Sequence, residues 1–195
     1  MEHLELLINR ALLLFFIAFF GCTSNEPVLM VHEGSNDLDL FKINITYRGK
    51  VYSGMIYNTN NMGDTISIGE YKNGLKNGLW KKFYSNGRLK EKRSFKNGLK
   101  VGLYEGFYNN GAKNFVFNFK NGEYNGTNRL WAKNGQIIEE FNYVDGLEKG
   151  SQKVWYLNGR IKSNYIIKNN RRYGLLGTKN CTNVSEAVSY THLTL

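Results

Sequence analysis

From about residue 47 the chain alternates apolar and polar positions two by two instead of at helical spacing. In "RLKEKRSF" the odd positions are Leu89, Glu91, Arg93 and Phe95, and the even ones Arg88, Lys90, Lys92 and Ser94; in "QIIEEFNY" the odd positions include Ile137, Phe141 and Tyr143. Period two sends the two sets to opposite sides of a strand. The alternating runs are bounded by Asn-Gly pairs, and a type I′ turn, with positive φ at both central residues, favours that dipeptide. The pattern predicts two strands and two turns per unit, the strands falling at roughly 77–84 and 88–95 in the best-formed copy.

The unit recurs every 24 residues without insertion. Lys72, Lys96, Lys120, Val144 and Lys168 share a column, followed by Asn73-Gly74, Asn97-Gly98, Asn121-Gly122, Asp145-Gly146 and Asn169-Asn170. A second turn column holds Asn86-Gly87, Asn110-Gly111, Asn134-Gly135 and Asn158-Gly159. Aromatic columns run between them: Phe83, Phe107, Trp131, Trp155, and Tyr47, Tyr71, Phe95, Phe119, Tyr143, the latter ending in Ile167. A fixed period of this size marks a repeat architecture, in which one unit buries its apolar face only against its neighbours. Lone glycines at 54, 78, 102, 126, 150 and 174 fall inside predicted strands, where glycine marks a bulge, a bend or a close approach. The expectation is a neighbouring ring packed over the bare backbone. The fold predicted is all-β, a single elongated, twisted antiparallel meander of 24-residue β-hairpin repeats about 50 Å long at roughly 4.8 Å per strand, preceded by a short N-terminal signal helix.

"YKNGLKNGLWKKFYSNGRLKEKRSF" resembles the variant MORN repeat found in proteins grouped as YwqK-like antitoxins, and the resemblance spans about residues 47–178. It implies an extended antiparallel sheet used for membrane-proximal scaffolding, protein contacts or contact with anionic lipid, and it implies no chemistry. The first copy departs from the pattern with Gly49-Lys50 and Thr59 and reads as a cap, while the fourth has Asn128 and Ala132 in aromatic columns.

Ahead of the repeats, "ALLLFFIAFF" is too short to span a bilayer as a helix but fits the apolar region of a signal peptide. Gly21-Cys22 after it resembles a bacterial lipoprotein cleavage site, which makes Cys22 the expected lipid attachment point. The organisation expected is thus a signal peptide over 1–21, a tether and lead-in strand over 22–46, repeats over 47–178 and a tail over 179–195. The expected location is the cell envelope, with the outer membrane preferred. Cys181 is the other cysteine, so lipidation of Cys22 leaves no pair for an intrachain disulfide.

Net charge is +10, unevenly spread. Residues 72–100 hold ten Lys or Arg against Glu91 alone, residues 151–179 hold seven and no acid, and residues 101–150 hold five against six acids. The candidates for an anion-binding surface are Lys81, Lys82, Arg88, Lys90, Lys92, Arg160, Lys162, Arg171 and Arg172, facing phospholipid or lipopolysaccharide phosphates or an acidic protein. Lysines also blunt sheet edges against unwanted pairing, which accounts for many of them without a ligand. Aromatics set among basic residues suit nucleic acid as well, but export argues against that partner. Candidates for protein contact are Trp80, Tyr104 and Trp155.

Catalysis is not expected. His3, His32 and His192 all lie outside the repeats, adjacent Glu139 and Glu140 fall on opposite faces of a strand, and the glycines are spaced for turns instead of a phosphate loop. No metal or cofactor is expected either. Two function classes remain: a lipid-anchored envelope scaffold binding a protein or anionic lipid, and a cytoplasmic antitoxin-like binding protein.

Overall fold

The computed structural model describes residues 28–177, so the segment expected to be a signal helix, Cys22, Cys181 and the tail lie outside the described residues. Those described are all-β, without a helix. The first strand, β1 (Met30–His32), is followed by β2 (Leu38–Asp39), β3 (Thr46–Tyr47), β4 (Lys50–Val51) and β5 (Gly54–Thr59). The hairpins then run β6 (Thr65–Lys72), β7 (Leu75–Phe83), β8 (Leu89–Lys96), β9 (Leu99–Phe107) and β10 (Lys113–Lys120). They continue with β11 (Glu123–Tyr124), β12 (Gly126–Trp131), β13 (Ile137–Val144), β14 (Leu147–Trp155), β15 (Ile161–Lys168) and β16 (Arg171–Leu175). From β5 to β16 each strand pairs antiparallel with the next, β11 being a short extra partner at the end of β10.

The expected meander runs from β5 to β16, and its N-terminal end carries two additions. β1 pairs parallel with β5, and β2, β3 and β4 form a separate three-stranded sheet. The stretch read as a tether is folded from Val28 onward: Val31, Ile45, Tyr52, Ile56 and Tyr71 form the one buried apolar cluster among the described residues, with Leu38, Leu40, Tyr47 and Trp80 around it. Burying rings and aliphatics together on one side of the first hairpin removes its apolar face from water, the need of any terminal unit in an array. Tyr52 pins this end, its hydroxyl donating to the carbonyls of Leu29 (2.9 Å) and Met55 (2.8 Å). The first turn also slips against its column, with positive φ at Arg48 and Gly49.

The two Asn-Gly columns make different turns. At Asn73-Gly74 both residues have positive φ (52° and 76°), as do Asn97-Gly98 and Asn121-Gly122. In the second column glycine alone is left-handed, as at Gly87 (φ 77°), and the Gly87 amide donates to the Tyr84 carbonyl while the Tyr84 amide donates to Arg88. That is a longer loop with a left-handed glycine and a register slip between Lys82 and Phe83. Asparagine serves it through its side chain: Asn86, Asn110, Asn134 and Asn158 each accept the amide two residues on, at 3.0–3.2 Å.

Among the lone glycines, Gly78, Gly102 and Gly150 mark bulges instead of ring-covered backbone, whereas Gly54 does lie against a ring, that of Tyr52. Phe141 faces Gln152 but Tyr143 faces Glu148, so Lys149, Gly150 and Ser151 stand opposite Asn142 alone. Gly150 has φ 74° and open space at its Cα; the same step of register recurs beside Gly78 and Gly102. Rings do cover bare backbone elsewhere, the Trp80 indole over Gly69 and the Phe115 ring over Gly106, where a Cβ would overlap them.

Candidate functional site

Cross-strand register assembles one aromatic face. Trp80 faces Arg93, Arg93 faces Tyr104, and Tyr104 faces Phe117, while Phe141 faces Gln152 and Gln152 faces Tyr165. Neighbouring rings meet mostly edge to face: Tyr71 with Trp80 at 5.2 Å, Trp80 with Phe95 at 6.0 Å, Tyr104 with Phe115 at 4.7 Å. Such pairs add about 0.5–1.5 kcal/mol beyond area burial.

Cations from the same chain cap this face. Lys76 lies over Trp80 (4.4 Å), Arg93 over Phe95 and Tyr104 (5.4 and 5.0 Å), Lys100 over Phe119 (4.9 Å) and Arg172 over Tyr165 (5.2 Å). Lys76, Lys100 and Arg172 occupy one repeat column, whose remaining members are Tyr52, Tyr124 and Glu148.

Position 152 and its equivalents 128 and 80 repair the bulges. Gln152 is fully buried; its Oε1 accepts the Asn142 amide (2.9 Å) and its Nε2 donates to the Asn142 carbonyl (2.8 Å) and to Lys149 O (3.3 Å). Asn128, a repeat earlier, is buried and accepts the Asn118 amide at 2.7 Å, and Trp80 Nε1 donates to the Glu70 carbonyl at 3.0 Å. The polar intruders in an aromatic column therefore pair the backbone that the bulge leaves unpaired.

The price of an asparagine there is a missing ring. Beside Asn128 lies a cleft of about 190 Å³ lined by Phe117, Tyr124, Arg129, Leu130, Glu139, Phe141 and Tyr143, with the Arg129 guanidinium paired to Glu140 at 2.8 Å. Tyr124 stands 5.7 Å from Phe117 and 5.1 Å from Tyr143. Tyr143 is held above its usual pKa first by burial and then by nearby Glu148, with smaller contributions from Tyr124, Tyr165 and Glu139.

The basic residues are less concentrated than the sequence suggests. Lys81 and Lys82 point to opposite faces, with Lys82 bound to Glu91 (3.1 Å) and Lys92 to Glu105 (2.7 Å). Arg88 sits in a turn instead of on β8, and its Nη1 donates to the Asn109 carbonyl at 3.0 Å. Arg172 pairs with Glu148 at 3.0 Å. Arg160 is in the equivalent turn three repeats on, Lys162 lies 5.9 Å over Tyr156, Lys90 5.5 Å over Tyr84, and Arg171 is exposed on β16. The row expected from Arg88, Lys90 and Lys92 thus reduces to Lys90 and Lys92, the second neutralised across the strand.

Of the three aromatics singled out, Trp80 and Tyr104 are packing residues. Tyr104 donates to Glu91 Oε2 at 2.7 Å, and burial, then that carboxylate, pushes its hydroxyl pKa up to about 12. Burial pushes Glu91 up, but the Tyr104 hydroxyl and Lys82 outweigh it and hold the carboxyl below its usual range. Trp155 is half-buried at the end of β14, opposite Ile161. Sequence reading passed over Phe117 and Tyr124 and weighed Glu139 only as a catalytic carboxylate; the column break at Asn128 was the signal that could have found them.

Known protein families were compared with the chain and none matches it. No curated protein matches it either.

Proposed function

We propose that the chain is a non-enzymatic repeat scaffold of the cell envelope, held to a membrane through lipid on Cys22 and offering its sheet to a protein partner. The observation that supports it most is the long sheet without a second layer: among the described residues, the separate small sheet meets the array at its N-terminal end, and β8 to β15 carry no covering element. Leu79, Leu103 and Ile166 on the face opposite the rings are about half exposed. An extended, partly apolar surface of that kind suits a flat protein contact. The resemblance to MORN-type repeats agrees with this reading, and the lipoprotein-like segment ahead of Cys22 supplies the anchor.

The test joins labelling to capture. Palmitate should label the protein in cells and vanish on Cys22→Ala, with the label in the membrane fraction. Crosslinking of the full chain in those cells should then yield one defined partner that survives high salt. A chain that never labels and stays soluble overturns the envelope reading and favours the cytoplasmic antitoxin-like alternative. Anionic-lipid binding draws less support, because Lys82, Lys92 and Arg172 already face carboxylates; salt-sensitive vesicle binding lost on Lys81→Glu with Lys90→Glu would restore it.

A further inference from the structure

We propose that the cleft between β10 and β13 receives a lysine or arginine side chain from the protein partner, completing a cation-on-aromatic pattern that the chain supplies for itself elsewhere. This deepens the scaffold reading and rests on it. Three observations converge. On both sides of the cleft the aromatic face is capped by internal cations, Lys76, Arg93 and Lys100 before it and Arg172 after it. In the cleft the column that supplies Lys76, Lys100 and Arg172 supplies Tyr124, and among the described residues no Lys or Arg lies over Phe117, Tyr124, Phe141 or Tyr143.

The second observation is the charge. Glu139 lines the cleft, and among the described residues no basic group comes within salt-bridge distance of it; Arg129 lines the cleft too, but its charge is met by Glu140 at 2.8 Å, as Glu91, Glu105 and Glu148 are met by bases of their own. Aromatic walls with a carboxylate at the rim attract an organic cation through the ring quadrupole and the charge together, more strongly as the site dries. The third is size and setting: about 190 Å³ accommodates the end of one side chain and not a drug-sized molecule. It opens on a sheet face broad enough for the rest of a protein, within the stretch 101–150, where acids outnumber bases between two strongly basic flanks.

The test is a titration of the full chain, carrying ¹³C-labelled Phe and Tyr, followed by aromatic NMR. The probes are N-acetyl-lysine amide, N-acetyl-arginine amide, their neutral isostere N-acetyl-norleucine amide, and tetramethylammonium. Lysine or arginine amide should shift the Tyr124 and Tyr143 rings saturably and bind about 10-fold tighter than the neutral isostere, equivalent to about 1.4 kcal/mol. Glu139→Gln should weaken that binding about fivefold, the scale of one partly exposed charge interaction. Tyr124→Lys restores the residue of the equivalent positions 76 and 100, supplies the cation internally and should abolish binding; Tyr124→Leu, which removes the ring without adding charge, should weaken it about 10-fold. Equal binding of the norleucine amide, or undiminished binding in both Tyr124 variants, overturns the proposal, and binding of tetramethylammonium alone overturns the choice of a protein side chain. Because no partner enters the titration, its failure leaves the scaffold reading standing on the crosslinking result.

Discussion

Replacing Gln152 by leucine keeps most of the volume of a fully buried side chain and deletes its polar end. Three hydrogen bonds disappear, two to the Asn142 amide and carbonyl and one to Lys149 O. Because β14 bulges at Gly150, Asn142 has no ladder partner there, and its amide and carbonyl are left buried and unsatisfied. Each such group costs about 1–3 kcal/mol, so a loss of about 3 kcal/mol is expected once partial relaxation is allowed. A repeat array does not have to unfold in one step, so a global melting curve would dilute the effect. Amide hydrogen exchange reads it locally: the Asn142 amide should exchange roughly 100-fold faster, about 3 kcal/mol at 1.36 kcal/mol per decade, with little change at Ser94 two units away. Asn142 protection within threefold of the parent in Gln152→Leu would refute the bulge-repair account and leave Gln152 as a space-filler.

Other outcomes follow from the same geometry. Asn97→Gly should change stability by less than about 0.5 kcal/mol, because that site asks for positive φ, whereas Asn110→Gly should cost about 1 kcal/mol by removing the acceptor for Ala112, both read by urea unfolding. Gly106→Ala should destabilise by about 1–3 kcal/mol because its methyl meets the Phe115 ring, an overpacking strain that Phe115→Leu should partly relieve. Tyr104 titrates higher when folded than the ordinary 10, so its contribution is whole below pH 10 and fades as pH climbs toward about 12; Tyr104→Phe should make that alkaline decline shallower in a pH series of unfolding curves. Glu91, held low, acts at the other end, its contribution present above the ordinary glutamate range and fading as pH falls below it, and Glu91→Gln should remove that acid-side loss.

The hairpin period and strand positions were readable because turn residues and two-fold alternation are local properties: β7 and β8 lie within two residues of the predicted strands. What the glycines and asparagines were for was less visible. Asn73 and Asn86 look alike in sequence, yet one is used for its backbone and the other for its side-chain oxygen. The ion pairs escaped because a bulge changes which residues face each other; Lys92 meets Glu105 only after the whole register is fixed. The parallel pairing of β1 with β5 depends on a long-range contact with no periodic trace. Asn128 was noticed as an anomaly, and its meaning, a bond to Asn118 and an empty place beside it, needed the neighbouring strands.

The bulge that recurs beside Gly78, Gly102 and Gly150 also bears on how such a chain can change over generations. Every hairpin touches only the ones before and after it, and Trp80, Asn128 and Gln152 each mend the irregularity of their own copy. Copying or deleting 24 codons between β6 and β15 would therefore give a protein with all its internal joints intact, its reach altered by about 10 Å, two strand spacings. Length becomes a heritable dial, adjustable in steps, while the folded beginning at Tyr52 keeps the zero mark fixed.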